Sequence, residues 1–253
     1  MEYIFKKFSR KKLICRNNLF NSQTYICNLC SQINKLSKDS FWLKIKNLWN
    51  GFHRNEKKIS SHLIDVLRSV KYLLERNKVV TVLDFGGGYG DNYYSLRRYI
   101  ERKLNKINYC IVDDKEIIKL GNKFFSKSKN LRFFSELPNL NFDLVLMIGT
   151  IQYISNFKDL MNKIKINKNG YFIISRSLFS GLGNNYYSVQ KLINDPKKSE
   201  ILITIFSLKK FLDFLKKEKF QIINVEKKES LNSIFQQKLI TEINYYNILC
   251  RKY

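Results

Sequence analysis

The sequence predicts an α/β fold: a doubly wound, seven-stranded, mostly parallel sheet with a C-terminal antiparallel strand, preceded by an N-terminal arm. Three observations carry this. Short β-branched or aliphatic runs alternate with helical stretches from residue 60 onward, the pattern that buries a parallel sheet between two layers of helices. The first run, residues 79–85 (VVTVLDF), ends at three glycines that open the next helix, as a buried parallel strand entering a tight turn does. The last two runs, residues 220–225 and 243–250, read as an antiparallel pair.

Taken in order, residues 60–76 make a helix, because Leu63, Val66, Leu67, Val70, Leu73 and Leu74 recur at helical spacing after Ser60 and Ser61. Strand 79–85 and a helix behind the glycines follow. Then come strand 109–112, helix 115–125, a short strand at 131–134, strand 143–148, helix 157–164 and strand 171–175. A helix at 208–217 precedes the final strand pair. Residues 51–253 thus form the main domain and residues 1–50 a Lys- and Asn-rich arm that leads into Phe41, Trp42, Trp49 and Phe52. The stretch 176–206 is a long Gly-, Asn- and Tyr-containing connection after the fifth strand, where an α/β sheet presents its carboxyl edge, so it is expected on the substrate side.

The most informative segment is Asp84-Phe85-Gly86-Gly87-Gly88-Tyr89-Gly90. Gly86 takes a turn conformation that a Cβ forbids, Gly88 lets a ligand lie against the backbone, and Gly90 permits close helix packing. The helix N-terminus then faces an anion. A dinucleotide fingerprint, G-x-G-x-x-G, would require glycine at position 91, which is aspartate. Asp84, two residues before the first glycine, would repel a pyrophosphate but suits an ammonium. Asp113 closes the next strand, 23 residues after Gly90, where a carboxylate can hold the ribose hydroxyls of an adenosine; Asp114 is the alternative. Together these features point to an adenosyl ligand bearing an amino group.

Composition bounds the rest. The formal charge of +25 would ordinarily point to a polyanion partner, nucleic acid or an anionic membrane surface, but by itself it settles no partner. The absence of Ala and the abundance of Lys, Asn, Ile, Phe and Tyr explain much of that charge as the imprint of an AT-rich genome. Five cysteines make an odd set, and Cys110 and Cys250 fall inside apolar runs, which argues for a reducing, cytoplasmic setting. Cys27 and Cys30, with Cys15 and His53, do not complete a zinc spacing, so no metal is expected. No apolar stretch approaches the roughly 20 residues of a membrane span, although Ile4, Phe5 and Phe8 among lysines leave peripheral membrane contact open.

On the acid and glycines of the first turn and the acid ending the second strand, the sequence resembles the class I S-adenosylmethionine-dependent methyltransferases, which have a Rossmann-like fold. Trp49-Asn50-Gly51, VLDFGGGYGDNYYSL, IVDD followed by Gly121, IGTIQYI, and ISRSLF followed by Ser188-Val189-Gln190 are similar to a family of methyltransferases found among surface-polysaccharide genes. The resemblance implies S-adenosylmethionine as cofactor, bound by Asp84, Gly86, Gly88, Gly90 and Asp113. It also implies a small-molecule or sugar-linked acceptor. The carboxyl edge of the sheet supplies candidates for acceptor binding, Tyr93, Tyr94, Gln152 and Ser177, and for catalysis, Tyr153 and Arg176. Arg176 is singled out because a guanidinium can grip a carboxylate or phosphate with two hydrogen bonds. No histidine follows the glycine turn, and His53 and His62 precede it. Two other readings stay open: an RNA methyltransferase, suggested by the charge, and a non-catalytic adenosyl-binding scaffold.

Overall fold

The computed structural model describes Lys6–Lys7 and residues 61–125, 128–191, 200–230 and 243–253. The segment Lys6–Lys7 (β1) pairs with β7, the strand Tyr186–Lys191. Helix α1 (Ser61–Arg76) carries its apolar residues on one face, and Leu63, Val66, Leu67, Val70, Leu73 and Leu74 are all buried. Then follow β2 (Val80–Phe85), α2 (Asp91–Ile100), β3 (Ile107–Val112), α3 (Lys115–Phe125), β4 (Leu131–Phe134) and β5 (Asn141–Ile148). After β5 come a single 3-10 turn (Ile151–Tyr153), α4 (Phe157–Lys163) and β6 (Lys165–Ser180). The chain continues through β7 to β8 (Glu200–Ser207), α5 (Leu208–Lys217), β9 (Phe220–Ser230) and β10 (Ile243–Lys252).

Backbone pairing gives the main sheet the order β4-β3-β2-β5-β6-β10-β9. The β4-to-β6 part is parallel, and β10 runs antiparallel to both its neighbours. From the central strand β2 the chain moves outward to β3 and β4, then returns to β5 on the opposite flank. The carboxyl ends of β2 and β5 therefore flank the point where strand order reverses, the place where open α/β sheets hold ligands.

Successive strand residues feed opposite layers. Val82, Tyr109, Ile111, Leu144 and Leu146 pack with α1, α2 and α3, whereas Leu83, Cys110, Val145, Met147 and Phe172 pack with α4 and α5. Leu83 is fully buried, and truncating it to Ala would cost about 2–5 kcal/mol because the sheet cannot close around the cavity. The opposite, amino edge is tied by Asp143. Its carboxylate accepts from the Asn77 and Asn167 amides at 3.2 and 2.8 Å and from the Thr81 backbone N–H at 2.8 Å.

Two expectations change. The fifth strand does not stop at Ser175: β6 continues to Ser180, because β10 pairs with it as far as Ser180 and β8 joins it at Phe179 and Ser180. Strand length was set by partners distant in sequence, which local composition does not reveal. The stretch 176–206 is correspondingly no irregular connection. Its described residues finish β6 and form the antiparallel strands β7 and β8, and Leu178, Ile201, Ile203, Ile205 and Ile243 make a small separate core beneath them. Apart from Lys6–Lys7, residues 1–60, with Cys15, Cys27, Cys30, Trp49 and His53, lie outside the described residues, as does the His62 side chain. Among the described residues, no helix is long and apolar enough to cross a membrane.

Candidate cofactor site

The site is built where β2 runs out. Gly86 (φ +74°), Gly88 (+56°) and Gly90 (+90°) all occupy the left-handed region that disfavours side chains. A Cβ on Gly86 would fall 2.4 Å from Oγ1 and Cγ2 of Thr150, just beyond the end of β5. This glycine therefore lets the two strand ends of the switch point close together. A Cβ on Gly88, in contrast, would meet nothing within 4 Å. That stretch of backbone faces open space. Gly90 packs inward, its would-be Cβ lying 3.1 Å from Ile111.

The turn is fixed by hydrogen bonds: Gly86 N–H donates to the Val112 carbonyl at 2.7 Å, and Gly90 N–H to that of Gly87 at 3.0 Å. Gly88 N–H donates to Oδ2 of Asp113 at 2.8 Å, so the loops after β2 and β3 are joined through the second acid. Oδ1 of Asp113 accepts from the Asp114 N–H at 2.7 Å. Burial raises the pKa of Asp113 from its ordinary value, against the lowering effect of these two backbone donors. Asp114 caps the first turn of α3, accepting from the Glu116 N–H at 2.9 Å.

Asp84 is the most deeply buried acid of the site, 1% exposed. Its Oδ2 accepts from the Tyr109 hydroxyl at 2.7 Å and from the Asn92 amide at 3.1 Å. Its Oδ1 is buried with no hydrogen-bond partner. Desolvation pushes its pKa up to about 6, while the Tyr109 and Asn92 hydrogen bonds hold it down. An unpaired buried carboxylate oxygen costs stability unless something else donates to it.

Tyr109 and Asn92 were not among the sequence candidates. A signal existed for the first: a tyrosine inside an otherwise apolar buried strand needs a partner for its hydroxyl. Asn92, in the first turn of α2, carried none.

The acceptor-side candidates fall in different places. Tyr93 is 4% exposed and stacks edge-on with Tyr109 at 5.2 Å. It belongs to the core that holds Tyr109, which removes it from a surface where an acceptor could lie. Tyr94 is half-buried beside Gly90, and desolvation pushes its pKa up to about 12. Gln152, in the turn after β5, is buried; its amide donates to the Gly149 carbonyl at 2.9 Å and its Oε1 has no partner. Tyr153 is half-buried and packs against the small core under β7 and β8.

Arg176 does not terminate a strand. It sits in a bulge, because Ser175 and Arg176 lie opposite the single residue Asn247 where the β6–β10 register shifts. Its φ of +51° turns the exposed side chain out of the pleat. Asn247 Oδ1 accepts from the Ser175 hydroxyl and, at 3.4 Å, from the Arg176 N–H. The Gly149 N–H donates to the Ser175 carbonyl at 2.7 Å, so the bulge abuts the end of β5. Ser177 is fully buried, with its hydroxyl spent on the Ser175 carbonyl at 3.0 Å.

No family model and no curated protein matches the chain. Solved structures share its fold. A provisionally assigned S-adenosylmethionine-dependent methyltransferase from Listeria monocytogenes superposes with a TM-score of 0.50 at 17% identity, covering 75% of this chain and 98% of its own. A provisionally assigned sarcosine dimethylglycine methyltransferase from Galdieria sulphuraria gives 0.50 at 11% identity, covering 74% of this chain and 84% of its own. At these identities the likeness is one of fold. It matches the mostly parallel sheet with one antiparallel strand described above.

Proposed function

We infer that the chain is an S-adenosylmethionine-dependent methyltransferase acting on a small-molecule or sugar-linked acceptor. The observation that carries this is the end of the central strand: Asp84 Oδ1 is buried there and unpartnered, and the Gly88 backbone of the turn that follows faces open space. The residues fit the cofactor: Asp84 for the methionine ammonium, the Gly86–Gly90 turn for the adjoining chain, Asp113 for the ribose hydroxyls. When bound, S-adenosylmethionine supplies a methyl group on a sulfonium, ready for in-line displacement. The protein's part is chiefly to hold the acceptor aligned with it. Asp84 is oriented for its task by Tyr109 and Asn92. Gln152 Oε1 offers a buried acceptor at the end of β5, and Arg176, raised on its bulge, offers a guanidinium to an acidic group of the acceptor.

The sugar-linked acceptor rests on the motif resemblance, from about Leu48 to the C-terminus, to methyltransferases found among surface-polysaccharide genes. An RNA acceptor is the second reading, supported by the charge of +25. Calorimetric titration with S-adenosylmethionine and S-adenosylhomocysteine tests the central claim. One saturable site, lost in Asp113→Ala, is the expected outcome; no binding by the folded protein would overturn it. Retention on RNA that falls steeply with salt would move the acceptor from sugar to nucleic acid.

A further inference from the structure

A cavity of about 240 Å³ lies between α4, the β7–β8 hairpin and α5. It shares no lining residue with the glycine turn, Asp84, Asp113 or Thr150. Its apolar part comes from Ile154 and from Phe157, Phe206, Phe211 and Phe214, with ring centroids of Phe157 5.1 Å from Phe211 and 5.9 Å from Phe206 and Phe214. Three of these rings are buried and Phe214 is half-buried. The rim is different in kind: Lys158 and Lys210 line the cavity and are exposed.

No carboxylate is among the described lining residues. Asp159, next to Lys158, lies outside the described lining, and its carboxylate accepts from the side-chain amide of Asn156, the residue that caps α4. Lys210 gives one hydrogen bond to Asn184 Oδ1, at 2.6 Å, and an ammonium carries three donors. An aromatic base under a rim whose described charges are both cationic, set among the neutral Ser155, Asn156 and Asn185, favours a ligand that is flat and apolar at one end and negatively charged at the other. Neither half suffices: exposed lysines alone hold an anion weakly in water, and an uncharged ring gains no charge attraction from Lys158 and Lys210.

We propose that this cavity is a binding site for a small aromatic anion, separate from the cofactor site. The proposal does not depend on the methyltransferase reading.

Fluorescence titration with naphthalene-2-sulfonate, run beside uncharged 2-naphthol and ring-free methanesulfonate, tests it. The sulfonated ring is expected to saturate one site per chain and to bind at least about tenfold tighter than either control. Binding should weaken by about tenfold or more in the exposed-rim double variant Lys158→Glu/Lys210→Glu, and again in Phe214→Ala. Circular dichroism of each variant checks that the fold is retained, and the rim variant alters no buried group. Binding that is absent, indifferent to both variants, matched by 2-naphthol, or displaced by S-adenosylhomocysteine would overturn the proposal.

Discussion

Two buried aspartates stand at opposite edges of the same sheet. Asp143, at the amino edge, has both oxygens occupied by Asn77, Asn167 and the Thr81 N–H. Asp84, at the carboxyl edge, has one oxygen held by Tyr109 and Asn92 and the other with no partner. A carboxylate whose acceptors are satisfied by the chain stitches elements together. One left half-satisfied costs the fold something, which agrees with the ligand-holding role proposed for Asp84. The pKa of Asp84, raised to about 6, records that unmet demand.

The comparison is sharpest for ligand binding. Asp84→Asn keeps the volume and removes the charge, so affinity for S-adenosylmethionine should fall by about 100-fold or more, the range for truncating a buried charge pair. Its melting temperature should hold or rise, since the desolvated charge is gone. Equal binding by the variant would place the ammonium elsewhere. Asp143→Ala should reverse the pattern. It strands three donors and should cost about 3 kcal/mol, or roughly 6–12 °C in Tm, while the folded protein still binds the cofactor. Thermal melts and calorimetry on both variants separate structural from functional burial.

A smaller effect follows from pH. The ammonium needs the ionised Asp84, so cofactor affinity should drop about tenfold between pH 7 and pH 5 as the group protonates through about 6. Stability runs the other way. The folded state binds this proton more tightly than the unfolded chain, so the contribution of Asp84 is fully present below about pH 4, falls as pH rises to about 6 and is level above. Affinity independent of pH over this range would disconnect Asp84 from the ligand. The smallest change is expected for Tyr109→Phe, which removes one donor from Oδ2. The Asp84 pKa should rise further, and affinity at pH 7 should weaken by a few-fold, about 1 kcal/mol. Affinity-versus-pH profiles of this variant, shifted toward higher pH, would show the hydroxyl acting through the carboxylate.

Much of the fold was legible. The helix at 115–125 and the strand at 131–134 have the predicted bounds, because periodicity and flanking polar residues are local. The acid and glycines stood out because tight backbone geometry restricts residue choice at each position. The acceptor side was hardly legible. Ser177 and Arg176 are neighbours in sequence, yet one is buried and the other exposed, and a bulge opposite Asn247 decides which.

By itself, then, the sequence determined the alternation of strands and helices, their burial faces and the Asp84–Gly90 turn, since hydrophobic period and glycine conformation are written in neighbouring residues. Only the tertiary structure decided that β10 inserts between β6 and β9, that β6 reaches Ser180, that Tyr109 and Asn92 orient Asp84 and that four phenylalanines share one cavity. Each of these depends on residues far apart in the chain meeting in space, and no local pattern encodes such a meeting.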